Sequence, residues 1–294
     1  MTRLAVLTMA ALALTACTPA ESEPAPTTTA PVETSTTTTI AASTTTVAAV
    51  AAVPDCLAGN LPFAEQGIVA ALDSPQHDAA IVGGIRWHAE EGCERVIIEF
   101  LAEGGSPATR LGPLGVTLAA DTGIVRIALP EEVETTAIGD SLIAGNLVER
   151  IYVVEGIEDG LVVDIHLAAR GAVRAFTTNS PSRLVVDVRP TSEDPVASPA
   201  SASGSVVVSS PLPGPSLYPL QVAGYAAPGV EAVRITLSSD GRTTLERSVS
   251  TVSDNHVWRF FGITISDGPS DLVLVQVTGD TATDDGVTVE LDLP

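Results

Sequence analysis

Arg95-Val-Ile-Ile-Glu-Phe100 and Arg183-Leu-Val-Val-Asp-Val188 decide how this chain is read. Each opens on an arginine, runs through three apolar residues, and closes on an acid and one more apolar residue. Alternating polar and apolar side chains have the two-residue period of a half-buried strand, and the apolar triplet suits a strand inside a sandwich. The common order has two readings: a paired-sheet architecture with internal symmetry, or a chance echo of six residues.

Outward from these segments the same pattern continues. Strands are expected at Ala80 to Trp87, Arg95 to Leu101, Leu114 to Leu118, Ile124 to Leu129, Leu147 to Val154, Leu161 to Leu167, Val173 to Thr177 and Arg183 to Val188. Asp121-Thr-Gly123 and Asp159-Gly160 supply turn chemistry between them, and Gly83-Gly84 inside a strand run reads as a bulge. Only Pro130 to Ala144 could host a short helix. This first domain is placed at 54–190. A Ser/Pro/Ala-rich linker is expected at 191–203, followed by a second domain at 204–294. Its strands are expected at Ser205 to Ser209, Leu220 to Tyr225, Ala232 to Leu237, Thr243 to Ser250, His256 to Thr264, Leu272 to Thr278 and Val287 to Leu291, with turns at Asp240-Gly241 and Asp285-Gly286. The fold class is therefore all-β: two β-sandwich domains.

Ahead of them, residues 1–16 have the layout of an export signal, with a basic start at Arg3 and an apolar run from Leu4 to Leu14. That run is too short to cross a bilayer, which takes ~20 apolar residues. Residues 17–53 are Thr, Ala, Pro and Glu with few large apolar side chains, and read as a disordered linker averaging roughly 30–35 Å end to end. Its Thr clusters could carry O-linked sugars. Formal charge is −22, and all 14 basic residues are Arg. This balance argues against nucleic acid as a partner. Cys56 and Cys93, 37 residues apart, form an even pair in an exported chain and read as a disulfide, with reduced thiols or a metal site as the alternatives.

Leu14-Thr-Ala-Cys17 resembles the bacterial lipobox, which implies cleavage before Cys17, diacylglycerol on its sulfur and acylation of the new amino terminus. The other reading is a secreted protein cut elsewhere with a free thiol. The paired Arg-apolar-acid runs, together with Ile85-Arg-Trp-His88 and Cys93-Glu-Arg95, resemble the AMIN and AMIN-like domains of bacterial envelope proteins over Ala79 to Pro190. That family is a β sandwich whose best-known members target amidases or secretion components to the septum or cell wall, so the resemblance implies binding without catalysis. The pattern usually has Asp before the first Arg, where this chain has Glu94, and the cysteine pair is not a general family feature. Val206-Val-Val-Ser-Ser-Pro211, Pro213-Gly214, Gly224-Tyr-Ala226, Glu231-Ala-Val-Arg-Ile235 and Trp258-Arg-Phe260 resemble the immunoglobulin-like domain of the Gmad type, found in spore-germination proteins and other envelope lipoproteins. The resemblance implies an accessory or interaction domain without catalytic residues. Trp258 itself reads most simply as the core aromatic of a sandwich, with a ligand-stacking role as the other reading.

Chemistry has few candidates. Gly139-Asp-Ser-Leu142 followed by Gly145 matches the block that carries the nucleophilic Ser of GDSL-type esterases. A nucleophilic Ser141 needs a His base and an orienting acid, and the Asp-x-x-His and Gly-x-Asn-Asp blocks of that family are missing here. The segment reads instead as a Gly-Asp turn after a short helix. His77, His88, His166 and His256 lack metal-ligand spacing and read as surface or hydrogen-bonded strand residues. Asp280, Asp284, Asp285 and Glu290 lack the alternation of a calcium loop and read as a solvated hairpin. No cofactor is expected. Arg86, Trp87, His88 and Arg95 form the candidate ligand surface if they share a face; otherwise Trp87 is core and the charges are a solvated strand face. Between residues 54 and 190 there are 20 acids and 9 arginines, so binding to anionic wall polymers must rest on short-range contacts.

The expectation is a noncatalytic lipoprotein on the outer face of the bacterial cell membrane, with the membrane as partner through its anchor and cell-wall glycan (peptidoglycan) as ligand. A protein-interaction scaffold in the envelope is the alternative, and a serine hydrolase using Ser141 the remote one.

Overall fold

The computed structural model describes residues 55–74, 76–156, 160–196, 200, 204–252, 257–280 and 286–294. Cys17, the export signal, the 17–53 linker, most of 197–203, His256, Asp284 and Asp285 lie outside the described residues. The first half holds β1 (Gly67–Leu72), β2 (Ile81–Glu90), β3 (Cys93–Leu101), β4 (Leu114–Ala119), β5 (Ile124–Ala128), β6 (Thr135–Thr136), β7 (Asp140–Leu142), β8 (Val148–Glu155), β9 (Leu161–Leu167), β10 (Ala169–Thr178) and β11 (Arg183–Pro195). The second holds β12 (Val206–Ser210), β13 (Gly214–Pro215), β14 (Leu220–Ala226), β15 (Ala232–Ser239), β16 (Arg242–Ser250), β17 (Trp258–Ile265), β18 (Asp271–Gly279) and β19 (Val287–Leu293). The chain is all-β, with no helix among the described residues.

Three sheets result. One runs β10-β11-β3-β2-β6, one β13-β19-β18-β15-β16, and a nine-stranded sheet runs β1-β4-β5-β9-β8-β17-β14-β12 with β7 on β8. Val96, Ile98, Phe100, Leu184 and Val186 of the first sheet meet Val116, Ile127, Ile151, Val163 and Ile165 of the nine-stranded one in one core. Val208, Val222 and Phe261 meet Ile235, Val275 and Val289 in another. Both are sandwich-like, two sheet faces closing on alternate apolar residues. Ala51–Pro294 nevertheless forms a single compact unit. The halves share a sheet through β8 and β17, paired in parallel at Trp258↔Val154 and Arg259↔Glu155, and Val257 is buried in the first core.

The two echoing segments are neighbours. β3 and β11 pair antiparallel with Arg95 opposite Asp187 and Arg183 opposite Glu99. An arginine and an acid four residues apart on each strand must face each other in this register, so each segment supplies the counter-ion of the other. Asp187, with its side chain fully buried, accepts from Arg95 Nε at 2.6 Å and Arg174 Nε at 2.9 Å. Glu99 lies 3.1 Å from both Arg86 and Arg183 on the more exposed part of the face.

The chain from Asp55 to Ala64 lies over the Asp187 end of this face. Arg95 donates to the Asp55 carbonyl at 3.0 Å and Arg174 to that of Cys56 at 3.1 Å. The Phe63 ring lies 4.8 Å from both the Arg174 and Arg189 guanidinium carbons. Cys56 and Cys93 are joined in a disulfide, with Cα atoms 6.2 Å apart, so the expected pairing forms and its sulfurs are unavailable to a metal. On the loop-entropy account, Cys56→Ser with Cys93→Ser should cost about 2–4 kcal/mol. Urea unfolding of the double variant against wild type checks this, and an unchanged midpoint would contradict it.

Three expectations are corrected. Pro130 to Ala144 carries no helix: β-branched Thr135 and Thr136 pair with β2 as β6, and Asp140–Leu142 pairs with β8 as β7. Gly67–Leu72, absent from the expected strands, is recruited as a strand by β4. The linker expected at 191–203 does not hold over its first residues, since β11 continues to Pro195 beside Ala169 and Val196 is buried. Elsewhere the reading holds closely. The register shift between Val82 and Gly84 is the bulge read from Gly83-Gly84, and Asp240-Gly241, both at positive φ, turns β15 into β16.

Candidate functional site

Arg86, Trp87, His88 and Arg95 do not form one surface. In a strand, neighbours point to opposite faces. Arg86 and His88 are exposed on the outer face, while Trp87 turns inward against the first core and donates from Nε1 to Glu94 at 2.9 Å. Arg95 stands opposite His88 but is committed to Asp187 and the Asp55 carbonyl. The structure thus splits the expected ligand surface across two faces and ties up its best-placed cation.

Ser141 lies in β7, opposite Ile151 of β8, and the expected Gly-Asp turn after a helix is replaced by this strand. Asp140 is salt-bridged to Arg150, and among the described residues no histidine is hydrogen-bonded to Ser141. The rest of the esterase-like block makes the β7–β8 hairpin, in which Ala144 takes φ 52° and Gly145 N donates to the Val148 carbonyl at 2.8 Å. The backbone N–H groups of Asn146, Leu147 and Val148 then converge on the buried Glu94 carboxylate at 2.8, 2.9 and 3.0 Å. A Cβ on Gly145 would stand 2.6 Å from that carboxylate, which explains this glycine without catalysis. His77 pairs with Glu132 at 3.0 Å, and Asp280 accepts from Glu231 N at 3.0 Å.

His166 corrects the expectation for the histidines. It is 3% exposed, its Nε2 has no hydrogen-bond partner among the described residues, and it sits at the seam between the halves. The seam is built by alternation. β9 turns Val163 and Ile165 into the core and Val162, Asp164 and His166 outward; Arg126 of β5 and Tyr152 of β8 flank Asp164 in register. From the second half Val207, Tyr225 and Trp258 pack onto Tyr152 and Val154. Tyr152 lies 4.9 Å from the His166 ring, 5.5 Å from Tyr225 and 4.8 Å from Trp258, ring centre to ring centre.

Asp164 is the polar centre. Arg126 grips it with Nε at 2.9 Å and a terminal nitrogen at 2.6 Å, and the Tyr225 hydroxyl donates to it across the seam. Burial and the Asp164 charge hold the Tyr225 hydroxyl well above its ordinary range, so it stays a donor. Burial pushes Tyr152 up to about 12. Burial likewise drives His166 down to about 4, opposed by Asp164 and reinforced by Arg126 and Arg150. Polar residues alternating inside the apolar run Leu161-Val-Val-Asp-Ile-His-Leu167 were the available signal: a strand with both faces apolar elsewhere is covered on both faces.

Beside the seam opens a cleft of about 500 Å³, lined by Arg126, Ala128, Leu129, Leu161, Val162 and Phe260, with Gly156 and Gly160 also on its wall. Clefts between structural units are favoured binding sites, and this one joins apolar walls to an aromatic side chain and a clamped guanidinium. Its charge is already neutralised by Asp164, which suits neutral hydroxyl or carbonyl acceptors better than anions. A second cleft, about 560 Å³, beside Glu65, Gln66, Arg170 and Thr191, has no aromatic side chain, and its Arg170 is bonded to the Ala120 carbonyl. Comparison with protein-family models, curated proteins and solved structures finds no match to this chain.

Proposed function

We propose that this chain is a noncatalytic envelope lipoprotein that binds cell-wall glycan in the seam cleft. The observation that carries the reading is the cleft itself, where Phe260 lies on the wall with Arg126, whose guanidinium is held in place by Asp164. The Leu-Thr-Ala-Cys17 motif supports an acyl anchor and an extracytoplasmic address, and the AMIN-like and Gmad-type resemblances support two accessory modules.

Sedimentation of the whole chain, carrying Cys17→Ser to remove the acylation site, with purified cell wall tests the ligand. Retention is expected for this protein, and Phe260→Ala should weaken it about 10-fold, equivalent to 1.4 kcal/mol. No retention of the parent protein overturns glycan binding. The excess of acids in the first half favours the second reading, a scaffold for other envelope proteins, because wall polymers are themselves mostly anionic. Mass spectrometry of the mature amino terminus tests the anchor, and a terminus without acyl chains overturns it.

A further inference from the structure

We infer that the seam is an acid-opened latch on the cleft: neutral His166 lets the two halves close over the aromatic cluster, and its protonation parts them, withdrawing Phe260 from Arg126. The inference concerns regulation and rests on the reading of the cleft as the binding site.

The cleft is composite. Arg126, Ala128 and Val162 come from β5 and β9, whereas Phe260 comes from β17. Backbone hydrogen bonding between the halves within the nine-stranded sheet is confined to two residue pairs of β8 and β17, supplemented by the Arg259–Glu155 ion pair at 2.5 Å. Among the described residues the closure also rests on the aromatic cluster, on the Tyr225–Asp164 bond, on Arg150 over Trp258 and on Val257 in the first core. A charge appearing inside that cluster therefore acts on what holds the cleft shut.

Asp164 favours a proton on His166, but that carboxylate is already shared with Arg126 and Tyr225, and burial outweighs it. The register partners of His166 are Arg150 on β8 and Ile124 on β5. Arg126 of β5 and Arg150 both raise the cost of protonation, and Arg150 also lies over Tyr152 and Trp258, at 5.2 and 5.8 Å from the ring centres. Asp140 of β7 is taken by Arg150, and Asp164, on the same strand as His166, is taken by Arg126 and by Tyr225 of β14. Tyr152 and Tyr225 stay protonated and neutral throughout the acid range. A third cation thus joins two guanidiniums around the shared Asp164 carboxylate, and burial of the imidazole itself is the largest cost of its charge.

The direction follows from linkage. An imidazole exposed by opening binds its proton below about 6.5, whereas closed His166 does so only near 4. Between these values the open form holds the extra proton. The closed form keeps its full advantage above about 6.5, and each further unit of acidification towards 4 shifts the ratio about ten-fold towards the open form.

The test uses the whole chain with Cys17→Ser, following tryptophan emission and far-ultraviolet circular dichroism from pH 7.5 to 3.5. A red shift on acidification is expected while the strand signal persists, and it should vanish in Trp258→Phe, which keeps Trp87. In His166→Gln, or in His166→Phe should the amide fail to fold, the shift should be absent above pH 4. The same shift in a folded His166 variant, no shift in the parent, or strand signal lost in step with emission would each overturn the latch. Wall retention of the parent should fall between pH 7 and 4.5, in step with emission; constant retention across a real emission change overturns the coupling. Absence of retention at pH 7 defeats the glycan reading instead, and emission alone then decides whether the seam opens.

Discussion

Asp187→Ala is expected to lower the free energy of unfolding by about 3–5 kcal/mol, the usual penalty for removing one partner of a buried ion network. The carboxylate has no exposed surface, and its two oxygens hold Arg95 and Arg174, the latter nearly as buried. Without it two guanidiniums lose their counter-charge, and the carbonyls of Asp55 and Cys56 lose donors whose orientation Asp187 sets. Replacing all three residues together, as Arg95→Met, Asp187→Leu and Arg174→Met, should cost less than Asp187→Ala alone, because no buried charge is then orphaned. Urea unfolding decides between these outcomes. A single substitution costing under about 1 kcal/mol would place Asp187 among surface pairs.

Glu94→Gln carries the second large effect, about 2–4 kcal/mol. Oε1 accepts from Asn146 N and Leu147 N, and Oε2 from Val148 N and Trp87 Nε1. An amide keeps one acceptor and turns two hydrogens towards donors, leaving at least one buried N–H unsatisfied at about 1–3 kcal/mol each. Glu94→Asp should also destabilise, because the shorter side chain draws back from the 146–148 turn. Thermal unfolding of both variants tests it: an unperturbed Glu94→Asp would show that the turn follows the acid rather than fixing its length. Gly145→Ala should behave as a milder version of the same lesion, since its Cβ would press on this carboxylate.

Strand positions were legible because period-two alternation is a local property. Leu161–Leu167 was read to the residue, and most other strands to within a few residues at each end. The short strands of 130–144 were not, because two or three residues carry no period and become strand only when an edge accepts them. The Arg86-Trp-His88 surface failed for a related reason: consecutive residues cannot share a sheet face, so adjacency in sequence argued against the groove it suggested. The seam was harder to read. Arg126, Tyr152, Asp164, His166, Tyr225 and Trp258 lie on five strands from both halves, and nothing local to any one of them names the others.

By itself the order of residues established an all-β chain, the cysteine pair, the bulge at Gly83-Gly84 and two segments whose arginines and acids could answer each other. All of these depend on spacing along the chain or on an even count. Tertiary structure alone decided that those two segments lie side by side, that a strap covers their buried ion network, and that the halves meet through an aromatic seam around a buried carboxylate and a buried imidazole. Such contacts bring together residues more than a hundred positions apart, as with Cys56 and Arg174. Their burial is a property of the closed assembly rather than of any strand within it.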